Sequence, residues 1–290
     1  MSITCEVMES GVAPCYRPAF MAPPSPLTVG TLLRDWRQRR HLSQLALACE
    51  AEISSRHLSF METGRSAPSR EMILHLAEQL NVPLRERNVL LVAGGYAPMF
   101  RERSLDAPEL NAARQAIELV LRGHEPYPAL AIDRHWNLVT ANRVVPLLLQ
   151  GVDASLLQPP TNVLRLTLHP AGLASRIVNL QEWRAHLLDR LARQIELSAD
   201  ATLVDLMKEL RGYPQTTAVA GRSAHDKPDY AGVIVPLELS VNGAVLAFFS
   251  TTTVFGTPVD ITLSELALES FFPANSQTAE ALRQVFQRKT

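Results

Sequence analysis

Between Thr28 and Gly95, apolar residues recur at helical spacing, but each run lasts only a few turns before a break. Val29, Leu32, Leu33 and Trp36 form the first stripe, which closes at His41-Leu42. Ser43 is an N-cap for a second helix carrying Leu45, Ala46 and Ala48. Ser54 caps a third with Leu58 and Met61, ended by Gly64. Ser69 caps a fourth, with Met72, Ile73, Leu76, Ala77 and Leu80 on one face. Pro83 stands at a first helical position, and Gly94-Gly95 stops a fifth helix. Helices this short are marginal alone. Five of them with such tight connections must bury their stripes against one another, which makes an all-α unit.

The flanking sequence reads differently. Residues 1–27 have no period and end in Ala22-Pro23-Pro24-Ser25-Pro26. Prolines lack a backbone donor, so a disordered extension is expected there, with Met21 an alternative start to Met1. Pro108 to Gly123 reads as a connecting helix with Leu110, Ile117, Val120 and Leu121 apolar, and Pro126-Tyr127-Pro128 breaks the chain. Ala129–Ile132 and Trp136–Thr140 are expected to pair as a hairpin. Asn142 is placed to cap the helix after it. Two longer helices follow, at about Leu180–Leu197 and Ala201–Arg211. Val233–Leu239 and Ala244–Phe255 flank Asn242-Gly243, the strongest hairpin-turn pair. Ile261–Phe271 alternates as a third strand, and a last helix spans about Ser276–Gln287. The expected division is an extension over 1–27, an all-α domain over 28–103 and an α+β domain over 104–290.

The chain has 28 basic and 29 acidic residues, a formal net charge of −1. A nucleic-acid partner therefore needs a local basic patch. Residues 28–70 supply one, with seven arginines against four acids, a local +3. Within it, the second and third helices form a helix-turn-helix, whose third helix suits the major groove. Leu58 and Met61 face inward, which leaves Ser55, Arg56, Ser59 and Phe60 facing out. Arg56 suits a guanine edge and Phe60 a thymine methyl. Gln44, in the first turn of the second helix, suits a phosphate, and Arg65 and Ser69 flank helix ends where phosphates would pass. The plain alternative for Gln44, Arg56 and Arg65 is a solvated helix face. Arg39 and Arg40 read as exposed charges.

The same segment resembles the lambda-repressor or Xre-type helix-turn-helix. The resemblance rests on Leu42-Ser43-Gln44, Leu58-Ser59, Glu62-x-Gly64-Arg65, Pro68-Ser69 and Leu76-Ala77. It implies an ion pair between Arg37 of the first helix and Glu62 at the end of the third. One departure stands out: Glu52 occupies a turn position where that family usually has glycine.

The second half is similar to the MmyB-type ligand-binding domain, on "PALAIDRHWNLVTANR", "NVLRLTLHPAGLASRIVNLQEWRAHLLDRLARQ" and "FSTTTVFGTPVDITLSELALESFFPA". That resemblance implies a PAS-like sheet with helices enclosing an apolar cavity for a fatty-acid-like molecule. Apolar helix stripes over a sheet suggest a pocket lined by Leu130, Trp136, Leu187, Leu191 and Phe249. A tryptophan such as Trp136 is more often plain core than a ligand contact, and packing between sheet and helices explains Phe249 without any ligand. A ligand carboxylate would want a cation, for which Arg165, His169, Arg176 and Arg190 are candidates.

Other chemistry finds no signature. Cys5, Cys15 and Cys49 do not make a disulfide framework or a zinc site, and His169, His186 and His225 lack metal spacing. No Gly-x-Ser-x-Gly, phosphate loop or His-Glu-x-x-His occurs. No apolar run is long enough to span a bilayer. The expectation is a cytoplasmic regulator with no catalytic role, cofactor or metal. Its N-terminal domain binds operator DNA as a homodimer and its C-terminal domain senses an apolar molecule, with repression favoured over activation. The alternative is a C-terminal domain that serves only to dimerise.

Overall fold

A computed structural model describes residues 28–214 and 234–287, with backbone alone at 285–287. The extension expected over residues 1–27 lies outside the described residues. Five helices open the fold: α1 (Val29–Arg39), α2 (Gln44–Glu50), α3 (Ser55–Glu62), α4 (Arg70–Gln79) and α5 (Leu84–Ala93). Thr28, Ser43, Ser54 and Ser69 each accept the N–H three residues on, and so satisfy a first-turn donor. Pro83 is the N-cap of α5 and not its first helical residue. Leu33, Leu47, Leu58, Met61, Ile73, Leu76 and Leu90 close a shared core.

All five helices end the same way. The chain turns through a left-handed residue at His41, Glu52, Gly64, Asn81 and Gly95. The next N–H then reaches back five residues, as Leu42 to the Arg37 carbonyl and Ile53 to that of Ala48. Glu52 thus adopts φ +53°, the conformation that glycine takes most cheaply. The turn before α3 keeps its shape despite the side chain.

The α+β part begins with α6 (Asn111–Gly123), preceded by one 3-10 turn. Then come β1 (Ala129–Ile132), β2 (Leu138–Ala141), α7 (Val145–Leu148), α8 (Val163–Leu168), α9 (Leu180–Ser198) and α10 (Ala201–Gly212). After the undescribed residues follow β3 (Leu237–Val241), β4 (Ala244–Val254), α11 (Ile261–Ser264), β5 (Ala267–Pro273) and α12 (Ser276–Gln287). The strands form one antiparallel sheet in the order β2-β1-β5-β4-β3. Asn242 and Gly243 make the β3–β4 turn, both with positive φ. Leu130, Ile132, Leu239, Leu246, Phe248 and Phe271 point to the face covered by α9 and α10. Ala129, Ala131 and Leu268 point to the other face, under Ile117 and Leu121 of α6.

Four further expectations need correction. Ile261–Phe271 is not one strand: Asp260 caps a helical turn at Ile261–Ser264, and pairing starts at Ala267. Val233 lies outside the described residues, and β3 begins only after Pro236. Trp136 sits in the β1–β2 turn with φ +66°, before the strand. Asn142 is not the N-cap of α7, which is Val144, though its Oδ1 accepts the Val144 N–H just ahead of the helix. Its amide donates to the Leu121 and Tyr127 carbonyls and ties the end of α6 to the sheet.

Candidate functional site

On α3 the outward face is basic and aromatic. Ser55 and Arg56 are exposed, and Ser59 and Phe60 are half-buried. The Arg56 and Arg65 guanidiniums lie 5.3 and 5.8 Å from the Phe60 ring centroid. Thr63, which follows on the same face, is exposed too, and its hydroxyl donates to the Ser59 carbonyl. Spacing from Phe60 marks Thr63 as a neighbour of these residues, a signal the sequence reading passed over. Ser69 caps α4 by accepting the Met72 N–H, which leaves its own hydroxyl proton to donate outward.

Behind this face sits a buried polar knot. Arg37 donates to both oxygens of Glu62, at 2.6 and 2.9 Å, and to the Leu42 carbonyl. The Glu62 side chain is 1% exposed. Its hydrogen bonds to Glu62 hold the Arg37 guanidinium above its ordinary value, against the opposing effect of burial. Gln44 completes the knot, donating Nε2 to Glu62 at 2.8 Å. One of its amide protons is therefore committed inward, which the sequence reading missed. Arg40 is likewise engaged, and not simply exposed: its Nε donates to the Leu80 carbonyl. Within residues 28–70 the exposed arginines left to meet an anion are Arg34, Arg39, Arg56, Arg65 and Arg70.

Residues 113–285, more than half of the chain, match the family described as the MmyB-like transcription regulator ligand binding domain. The chain belongs to the MmyB-like transcription regulators. Residues 33–87 match a helix-turn-helix family, spanning most of the five-helix unit. No curated protein matched the chain. This MmyB-like protein is thus a DNA-binding transcription regulator with a ligand-binding domain.

In the MmyB-like domain, Trp136, Leu187 and Leu191 share one core beneath the sheet, with Leu130 packed against it. Phe249 does not join them. It points to the opposite face and stacks on Phe272, ring centroids 5.3 Å apart, because Phe248 takes the inward position. The proposed cations all have partners within the chain. Arg165 pairs with Glu209 at 2.7 Å, and Tyr213 donates to the same carboxylate. Arg176 donates to the carbonyls of Leu148, Gln150 and Ser240. His169 Nδ1 accepts the Ala171 N–H. Arg190 is bound to Glu269 and Thr252, with its guanidinium 4.7 Å from the Trp136 ring centroid.

One donor in this core is open. Trp183, 4% exposed, has no acceptor for its indole N–H among the described residues. Its ring stacks on His186, whose imidazole is held below its ordinary value by burial and by Arg190 and Arg193. A tryptophan in the first turn of a long amphipathic helix was the available signal for it. Among the described residues no group of three or more His, Cys, Asp or Glu side chains is arranged to hold a metal, and no helix is long and apolar enough to cross a membrane.

Proposed function

We propose that this regulator represses transcription from the cytoplasm as a homodimer, and that an apolar small molecule in the C-terminal core controls its grip on operator DNA. Ser55, Arg56, Ser59 and Phe60 read bases, while Arg65, Ser69 and the second amide proton of Gln44 meet phosphates. Two-fold symmetry would set half-sites about one helical turn, roughly 10 bp, or a multiple apart. No catalytic step belongs to this reading.

The observation that carries the ligand assignment is the orphaned Trp183 N–H at the apolar core of this domain. A buried donor without an acceptor costs about 1–3 kcal/mol, and a ligand oxygen would recover it. The ligand, fatty-acid-like in its chain, would lie against Trp136, Leu187, Leu191 and Leu130 and present its acceptor to Trp183. A carboxylate headgroup would have to displace Glu269 from Arg190, or enter the partnered groups at Arg165, His169 and Arg176. A neutral acceptor needs no such exchange.

A second reading, in which the C-terminal domain only dimerises, has its own support. Leu119 and Val120 on α6 are 74% and 47% exposed, more apolar surface than a 13-residue helix needs to show solvent. Native mass spectrometry of the purified chain, followed by organic extraction, separates the two. A dimer with a bound acyl-chain mass supports the sensor. A dimer with nothing extracted supports the dimerisation module.

A further inference from the structure

The two halves of the molecule meet at a junction built around the end of α9. That helix stops at Ser198 with Ala199 left-handed, and the Ala199 N–H satisfies only the Ile195 carbonyl. The carbonyls of Glu196 and Leu197, which lack helical partners, accept from Arg40 at 3.4 and 3.2 Å. The same guanidinium donates to the carbonyls of Leu80 and Asn81 at the end of α4, and lies 5.2 Å from the Trp36 ring centroid. Arg40 thus places one cation on the negative ends of two helix dipoles, one from each half. Ala199 itself packs against the core of the five-helix unit. Arg40 stands three residues before Ser43, the N-cap of α2, so it adjoins the DNA-binding elements in the chain.

A second strap runs beside the first. Arg85 of α5 donates to both oxygens of Glu265, at 2.9 Å each, and also to Glu102. Glu265 lies 3.6 Å from Arg134 of the β1–β2 turn, and Arg134 lies 3.6 Å from Asp200, the N-cap of α10. His135 bonds Asp200 at 2.8 Å. The turn is fixed to α9 through Gln194, whose Nε2 donates to the Arg134 carbonyl and whose Oε1 accepts the Trp136 indole N–H, both at 2.7 Å. Trp136 belongs to the apolar core and carries Arg190 over its ring.

We propose that α9 is the relay of this regulator. Side chains in the C-terminal core set the position of α9 through Trp136, Gln194, Leu187 and Leu191. Arg40 and Arg85 then transmit that position to α1 and α5 of the DNA-binding unit. This rests on the sensor reading, for a relay is of use only when something in the core moves. The chemistry fits a device with two positions. Hydrogen bonds from an arginine to exposed helix-end carbonyls are exchangeable for water, whereas each of the two cores they connect is a continuous buried cluster. A ligand that favours one α9 position shifts operator affinity only by its differential affinity for the two positions.

The test is a cycle that needs no ligand. W136F removes one hydrogen bond to Gln194 and leaves a ring in place, and L187A opens space beside it. Each is made in the wild type and in R40Q/R85Q, with R40Q alone as the milder background. Affinity is measured for a duplex selected by the wild-type chain from random-sequence DNA. Hydrogen exchange of residues 36–40 is followed on the same proteins without DNA, and thermal melts confirm that each variant is folded. The relay predicts that W136F or L187A changes operator affinity at least five-fold and alters exchange at 36–40 in the wild type. Both effects vanish when the straps are cut. Equal shifts in both backgrounds, or no shift in either assay, overturn it. A working cycle with no extractable ligand would keep the relay and sink the sensor; an extracted ligand with a flat cycle would do the reverse.

Discussion

The residues that shape the DNA-binding unit are mostly capping residues, and they differ in how openly the sequence declares them. Gly64 and Gly95 announce left-handed turns. His41, Glu52 and Asn81 adopt the same conformation without announcing it. A left-handed L-residue costs roughly 1–2 kcal/mol, so the helix-end hydrogen bonds must outweigh that strain. Replacing Glu52 with glycine relieves the strain at an exposed site and is expected to stabilise the protein by about 1 kcal/mol. Chemical denaturation reads the gain; an unchanged midpoint would mean that the Glu52 side chain stabilises its turn by some other contact. Glu62 is the opposite case. It receives Arg37 twice and Gln44 once, almost out of contact with water. Glu62→Ala leaves a buried guanidinium unpaired and should cost about 3–5 kcal/mol, whereas Gln44→Ala should cost about 1 kcal/mol. Equal losses from the two would contradict this hierarchy. The Arg37–Glu62 pair is foreseeable from the family resemblance. The third partner is not, because nothing in the order of residues says how closely α2 approaches the end of α3.

At the scale of elements, α1 meets α3 with no room for a side chain. A Cβ on Gly30 would fall 2.1 Å from the Met61 carbonyl oxygen. Glycine to alanine within a helix ordinarily stabilises by up to about 1 kcal/mol. Here the clash with backbone should reverse the sign, cost about 1–3 kcal/mol and displace α3 enough to weaken operator binding. A stabilised Gly30→Ala variant with full operator affinity would refute the close approach. In α9 the corresponding sensitive residue is His186. Its folded-state value lies below the ordinary 6.5, first through burial and then through Arg190 and Arg193, with Asp189 and Glu269 opposing. The folded protein therefore binds that proton less readily than the unfolded chain, and stability falls as pH drops below about 6.5. His186→Gln should remove this part of the slope. Melts at pH 7.5 and 5.5 whose difference is the same in wild type and variant would exclude it. The long helices, α9 and α10, were legible from period and length to within a residue at each end. The short α8 was not, and α7 was expected only as a helix of unstated length after Asn142, since each of them lies below the length at which a period declares itself. Phe249 illustrates the same limit in a strand. Alternation says that Phe248 and Phe249 point opposite ways, but only the register with β5 says which one enters the core.

For the whole molecule, the division into two halves was visible in the sequence as a change from helical punctuation to mixed elements, while the junction was not. Its straps join residues far apart in the chain, Arg40 to Leu197 and Arg85 to Glu265, and neither arginine differs in kind from its solvated neighbours. The packing nevertheless argues that the first half is self-sufficient. Its core runs from Leu33 to Leu91, and among the described hydrophobic residues Ala199 is the one from the other half packed against it. Arg40 would lose two carbonyl partners in a fragment but keep those of Leu80 and Asn81. Arg85 would lose Glu265 and keep Glu102. Partly exposed pairs of this kind contribute little. Residues 28–103 alone are therefore expected to fold and to melt in a single cooperative helical transition a few degrees below the full chain; under the homodimer proposal they should also bind the selected duplex more weakly. Circular dichroism and a binding titration on the fragment check both points. A helical signal without a cooperative melt would place part of the DNA-binding core in the other half. A fragment that bound as tightly as the intact regulator would remove dimerisation from the mechanism of operator recognition.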